Sequence, residues 1–177
     1  MPQQPIFYPI ANIPAQIARD WNTKDSSFAG YVTKFAVSDS YLAKFEPHTV
    51  GSATHVEYRI PAEKIQAFNA SIEGPINVES GFFGSGFKGF VPDSFGLKGR
   101  DAVEQFVAMA KTWGYSRMDF LCEVSTNRKA VYLNFWFWTQ FDFSAQGVDF
   151  QQRNATIARL REAWDFNHIE ISLPACR

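Results

Sequence analysis

The first regular pattern along the chain is an alternation. Tyr31, Thr33, Phe35 and Val37 fall on one side of an extended backbone, with Val32, Lys34 and Ala36 on the other, which predicts a strand. Before it, residues 1–14 are rich in proline and read as an extended lead-in, with Pro14 opening a short helix through Trp21. After it, Ser38 stands where an N-cap belongs, ahead of Tyr41, Leu42 and Phe45, and Pro47 stops that helix. A second alternation covers Thr54–Ile60, setting Val56, Tyr58 and Ile60 against His55, Glu57 and Arg59. Pro61 then starts a helix carrying Ala62, Ile65, Phe68 and Ile72 at helical spacing. Gly74 and Pro75 end it, and Ile76–Val78 begins a third strand.

Between residues 81 and 99 the periodicity lapses. Six glycines argue against regular structure, and five phenylalanines argue against a solvated tether. An irregular loop with its rings packed on the protein satisfies both. It separates an N-terminal half, 1–80, from a C-terminal half, 100–177, and the halves are expected to share one core.

In the second half, Asp101–Trp113 reads as a helix with Val103, Phe106, Val107, Ala110 and Trp113 on one stripe, closed by Gly114. Arg117–Thr139 reads as a β-hairpin. Met118, Phe120, Cys122 and Val124 alternate along its first strand, and residues 125–128 make the turn. Its second strand, Lys129–Thr139, is apolar on both faces: Val131, Leu133, Phe135 and Phe137 on one, Tyr132, Trp136 and Trp138 on the other. Such a strand belongs in the middle of a sheet. Gln151–Trp164 is a further helix with Ile157, Leu160 and Trp164 inward, and His168–Leu173 is a last strand ended by Pro174. The predicted class is α+β: a mainly antiparallel sheet or sheets with helices packed on one face, in the order β-α-β-α-β, then α-β-β-α-β.

Composition narrows the function. Hydrophobic residues make up 46% and charged residues only 20%, which is the make-up of a chain with a true core. The net charge is −1 with no block of like charge, so the sequence gives no strong signal of a nucleic-acid binder working by phosphate neutralisation, short of a basic patch formed on folding. The longest apolar run, Val131–Trp138, is far short of the roughly 20 residues of a membrane span. Met1–Ile6 has neither a basic nor an apolar leader, and a cytoplasmic protein is expected. Cys122 reads as a buried, inert thiol on a strand, unpaired with Cys176 near the end of the chain. His48, His55 and His168 lack the spacing of a metal site, so no metal and no resident cofactor are expected.

Three features carry candidate chemistry. His55, Glu57 and Arg59 alternate along one strand, so a base, an acid and a cation share a face in steps of about 7 Å. That row suits general acid–base work or a phosphorylated ligand, and it equally suits a solvated strand face. The second feature is Gly84–Gly89, a literal G-x-G-x-x-G. It lacks the following helix that a nucleotide fingerprint needs. The third is aromatic density. Tyr132, Trp136 and Trp138, with Phe87 and Phe90 of the glycine-rich loop, form either core or a patch for a protein partner.

Tyr31–Val37, Thr49–Gly51 and His55–Glu63 together resemble bacterial polymorphic toxin modules, in the style of the closing strands of ADP-ribosyltransferase-like toxins. The resemblance spans residues 31–72. It implies that Glu57 is the catalytic acid, with His55 and Arg59 as helpers and NAD as the cofactor. The early basic residue and the Ser-Thr-Ser strand of that family have no close counterpart here; Ser26–Phe28 is the nearest stretch. The leading functional expectation is therefore a small bacterial protein that binds another protein, in its most specific form an immunity or accessory protein of interbacterial competition. The alternative is the toxin-type enzyme built on Glu57.

Overall fold

The computed structural model describes residues 6–11, 14–51, 55–167 and 173. The protein is α+β, with small antiparallel sheets and a preponderance of helix. It divides into two compact units, Met1–Gly84 and Ser85–Arg177.

The N-terminal unit is ordered β1 (Ile6–Phe7), α1 (Pro14–Asp20), β2 (Ala29–Val37), α2 (Asp39–Leu42), β3 (His48–Thr49), β4 (Val56–Glu57), β5 (Ile60–Pro61), α3 (Ile65–Ala70) and β6 (Ile72–Phe83). Its largest feature is the antiparallel ribbon of β2 and β6, running from the pair Ala29/Phe83 to the pair Val37/Ile72. The strand expected at Tyr31–Val37 is present, but two register shifts interrupt it, and the simple two-face alternation does not persist along it. Ile72 opens β6 instead of closing a helix, and Gly74 and Pro75 lie within that strand. They fall in the irregularity between the pairs Lys34/Asn77 and Ala36/Glu73, where Gly74 takes φ +74°, a conformation open mainly to glycine. The ribbon meets α1 closely at Gly30, where any Cβ would collide with the Ala18 carbonyl. Phe68 of α3 is buried at the centre of a ring cluster, with Phe7, Phe35 and Tyr41 at 5.6, 6.0 and 6.3 Å.

The strand expected over Thr54–Ile60 is broken in two, and its first residue, Thr54, lies outside the described region. β4 pairs with β3, and β5 pairs with β1. The chain at 9–11 follows alongside: Tyr58 N–H donates to the Pro9 carbonyl at 2.9 Å and Ala11 N–H to the Val56 carbonyl at 2.8 Å. The change of partner between β4 and β5 is what breaks the uniform strand.

The C-terminal unit corrects the sequence reading most. Its described elements are α4 (Ala102–Tyr115), α5 (Arg117–Thr126), α6 (Arg128–Gln140) and α7 (Phe150–Asn167), with 3₁₀ turns at Phe95–Leu97 and Ser144–Gln146. Within the expected order α-β-β-α-β the two hairpin strands are therefore replaced by helices: Arg117–Thr139 is a pair of helices, and α4 to α7 pack on one another. Local chemistry explains the difference. Ser116 is an N-cap whose hydroxyl accepts the Asp119 N–H at 3.1 Å, and Ser-x-x-Asp is a helix-start signal. Phe120 and Val124, four apart, are the buried residues of α5, whereas Met118 and Cys122, on the expected inner strand face, are exposed. Cys122 is thus a free surface thiol and not a core residue. In α6 the residues buried run almost all round the helix, from Ala130 to Trp138. A segment apolar on every side is a buried helix as readily as a central strand, and at 13 residues it is long for a strand.

α4 starts one residue later than expected and ends two residues later. Asp101 and Glu104 form a reciprocal capping box, at 2.9 and 3.0 Å, and Gly114 lies inside the helix. α7 covers the expected Gln151–Trp164 and extends beyond it, burying Thr156, Leu160, Ala163 and Trp164. The last strand expected at His168–Leu173, Pro174 and Cys176 lie outside the described residues, apart from a buried Leu173. No helix among the described residues is long and apolar enough to cross a membrane.

Candidate functional site

His55, Glu57 and Arg59 do come together, by a route other than the one a regular strand offers. β4 lies between β3 and the chain at Ile10, which bridges to Glu57, so the Glu57 side chain is only 12% exposed. Arg59 Nε donates to Glu57 Oε1 at 3.2 Å. His55 Nε2 lies 3.9 Å from Glu57 Oε2, too far for a hydrogen bond, and is buried without a partner. The two flanking residues therefore converge on one carboxylate. The Arg59 guanidinium bonded to Oε1 fixes the orientation of that carboxylate. Among the described residues no three His, Cys, Asp or Glu side chains could hold a metal ion, and His168 lies outside them.

Of the aromatic residues read as a possible partner surface, Trp136 and Trp138 belong to the core, while Tyr132, Phe87 and Phe90 are half-buried. Trp138 is fully buried, and its indole N–H donates to the Ala102 carbonyl at 2.7 Å. Trp136 is also buried, with an indole N–H that finds no acceptor. Tyr132 stacks on Trp164 with ring centres 6.0 Å apart, Phe87 packs on Phe137 at 4.9 Å, and the Lys129 ammonium lies 4.5 Å from the centre of the Phe90 ring. The glycine-rich loop is bound through polar groups as well as rings. Asn134, the one polar interruption in the apolar run, accepts the Phe90 N–H at 2.8 Å and donates to the Phe90 carbonyl and to Gln105 Oε1. Gln105 in turn donates to the Phe90 and Arg100 carbonyls at 2.9 and 2.7 Å. Gly89, at φ +70°, lies against Asn134 and Ala102, where a Cβ would clash with both. The G-x-G-x-x-G glycine thus permits close approach of protein to protein, and a loop follows the motif where a nucleotide site needs a helix.

A different site emerges between α4 and α7. A cleft of about 500 Å³ is lined by Lys111 and Trp113 of α4, by Gln151, Gln152, Thr156 and Arg159 of α7, and by the turn before α7. The Arg159 guanidinium lies 4.7 Å from the centre of the Trp113 ring, and that of Arg117 lies 5.0 Å from it. No acidic residue lines the cleft. Among the described residues no carboxylate pairs with Lys111, Arg117 or Arg159. The sequence gives little warning of this. Trp113 falls on the inward stripe of α4, and of the two arginines that meet it the one lining the cleft, Arg159, is 46 residues further on. Tyr115, Met118 and Phe150, each within two residues of Trp113, Arg117 or Gln151, are strongly exposed, as is Phe166 further along α7. Compared with family models, with curated proteins and with solved structures, the chain matches none.

Proposed function

We infer that the chain is a small binding protein that engages another protein through the helical C-terminal unit. The observation that carries this reading is the set of exposed apolar side chains on the helical unit: Tyr115, Met118 and Phe150, each within two residues in sequence of Trp113, Arg117 or Gln151, and Phe166 further along α7, at 74, 69, 67 and 81% exposure. Isolated exposed apolar groups are ordinary, but large ones beside an open cleft have the make-up of an interface. Bacterial origin and an immunity or accessory role in interbacterial competition are the most specific form of this proposal; their support is the toxin-module resemblance of residues 31–72. A cytoplasmic location belongs to the same proposal.

A second reading has its own support. His55, Glu57 and Arg59, singled out by spacing, meet at one largely buried carboxylate, and such clusters occur at catalytic sites. On this reading Glu57 is the essential acid of a toxin-type enzyme that takes NAD as its co-substrate. Growth of bacteria producing the wild-type chain or Glu57→Ala separates the two readings. The binding reading predicts equal, healthy growth of both strains. Growth arrest by the wild type, relieved by Glu57→Ala with both proteins present at equal level, would overturn it.

A further inference from the structure

We propose that the α4–α7 cleft is a recognition site for an acidic segment of a protein partner, held by carboxylate contacts to Lys111 and Arg159 and flanked by apolar contacts at its rim. This rests on the binding reading and adds the chemistry of the partner. Charge is the first argument. The cleft carries two cations and no acid, and neither cation is neutralised by a carboxylate among the described residues. Asp149, next to Val148 of the cleft, is engaged in capping α7, where it accepts the Gln152 N–H at 2.7 Å, and Glu162, three residues beyond Arg159, forms no ion pair with it. Unpaired cations in a concave site favour an anion, because low-dielectric walls strengthen its field.

Preorganisation is the second argument. Arg159 lies over Trp113, so its guanidinium is held on an aromatic face with its N–H fork still available to a carboxylate. Arg117 meets the same ring. A guanidinium held this way loses less freedom on binding than a lysine in solvent, and a planar fork suits the two oxygens of Asp or Glu. Donors also come from the neutral side of the cleft. Gln152 accepts the Asp149 N–H through its Oε1, which directs its amide nitrogen elsewhere.

The rim is the third argument, and it selects the kind of anion. Phe150 adjoins Gln151 in sequence, and Tyr115 adjoins Gly114 of the cleft wall; both are exposed. A segment combining acidic and apolar side chains uses both the cations and the rim. A small inorganic anion uses only the cations. A nucleic acid needs a longer basic track than this chain, with its net charge of −1, provides.

The test uses the full chain as bait for two displayed libraries of short random peptides. One is built from Asp, Glu, Leu, Val and Gly, and the other has Asn and Gln in place of the acids. The expected result is enrichment from the acidic library alone. Peptides so selected should bind Arg159→Gln and Lys111→Gln at least about tenfold more weakly, the range of a lost charge-assisted contact. Arg159→Lys should retain part of the binding, and circular dichroism should show both Gln variants folded as the wild type. The proposal is overturned by no enrichment, by equal enrichment from both libraries, or by binding unchanged in the folded Gln variants. Displacement of the selected peptides by inorganic phosphate at low millimolar concentration would also overturn it, assigning the cleft to a small anion. Failure here would leave partner binding through the apolar rim intact, since that reading is tested by a different experiment.

Discussion

Replacing Trp138 with alanine is expected to destabilise the C-terminal unit by about 3–5 kcal/mol, the usual range for deleting a fully buried tryptophan. Its ring is fully buried against Phe106, at 5.8 Å between centres, and its N–H satisfies the Ala102 carbonyl in the first turn of α4. The substitution therefore opens a cavity and also removes a bond that fixes where α4 begins. Trp138→Phe helps to separate these effects, because it keeps much of the packing, leaves a smaller cavity and removes the N–H. It should cost about 1–2 kcal/mol. Urea unfolding followed by circular dichroism measures both. The comparison also decides what this residue is for. A partner-contacting tryptophan would leave unfolding nearly unchanged when truncated, and that result would contradict its place in the core.

The second large effect is expected at Asn134. Asn134→Leu preserves size but removes both halves of a buried polar group. The Phe90 N–H then loses its acceptor and Gln105 Oε1 its donor. Each unsatisfied buried group costs about 1–3 kcal/mol, so a loss of roughly 2–5 kcal/mol follows, and neighbours in the network do not compensate. A thermal melt should fall by roughly 5–15 °C, since each kcal/mol shifts the midpoint by about 2–4 °C at this size. Leucine matching the wild-type midpoint would mean that the loop from Phe87 to Arg100 is held by its rings alone.

These two residues also explain what was legible in the sequence. Asn134 was visible as an interruption in an apolar run, and an interruption has no meaning until its partners are known. Those partners, Phe90 and Gln105, are 44 and 29 residues away. The α4 helix was legible because its signals are local: an Asp101 cap, Glu104 three residues on, and one apolar stripe. The β2 strand was legible for the same reason. The segment from Arg117 to Thr139 was misread because its apolar residues satisfy a period of 2 and a wrap-around helix equally well. The deciding signal was the polar Ser116, which caps α5, and it was outweighed by the aromatics that follow.

The candidate sites divide along the same line. His55, Glu57 and Arg59 could be named in advance because they lie within five residues of one another. What local spacing did not supply was the switch of strand partner that turns an even row into a converging cluster. The α4–α7 cleft could not be named, because Trp113 and Arg159 are brought together only by the packing of two helices. Of the aromatic residues proposed for a partner, Trp136 and Trp138 are ones the helical unit needs for its own core. The apolar groups left at the surface, Tyr115, Met118 and Phe150, stand out by exposure and not by any pattern in the chain.

Binding through the C-terminal unit is most directly tested by placing a photo-crosslinking phenylalanine analogue at Phe150 of the full chain, in the cells the protein comes from. The account predicts one discrete protein adduct, identified by mass spectrometry, that is lost when Arg159→Gln is introduced into the same chain. No adduct from position 150 would contradict it, whereas an adduct equally strong with Arg159→Gln would contradict only the assignment of the cleft to an acidic segment.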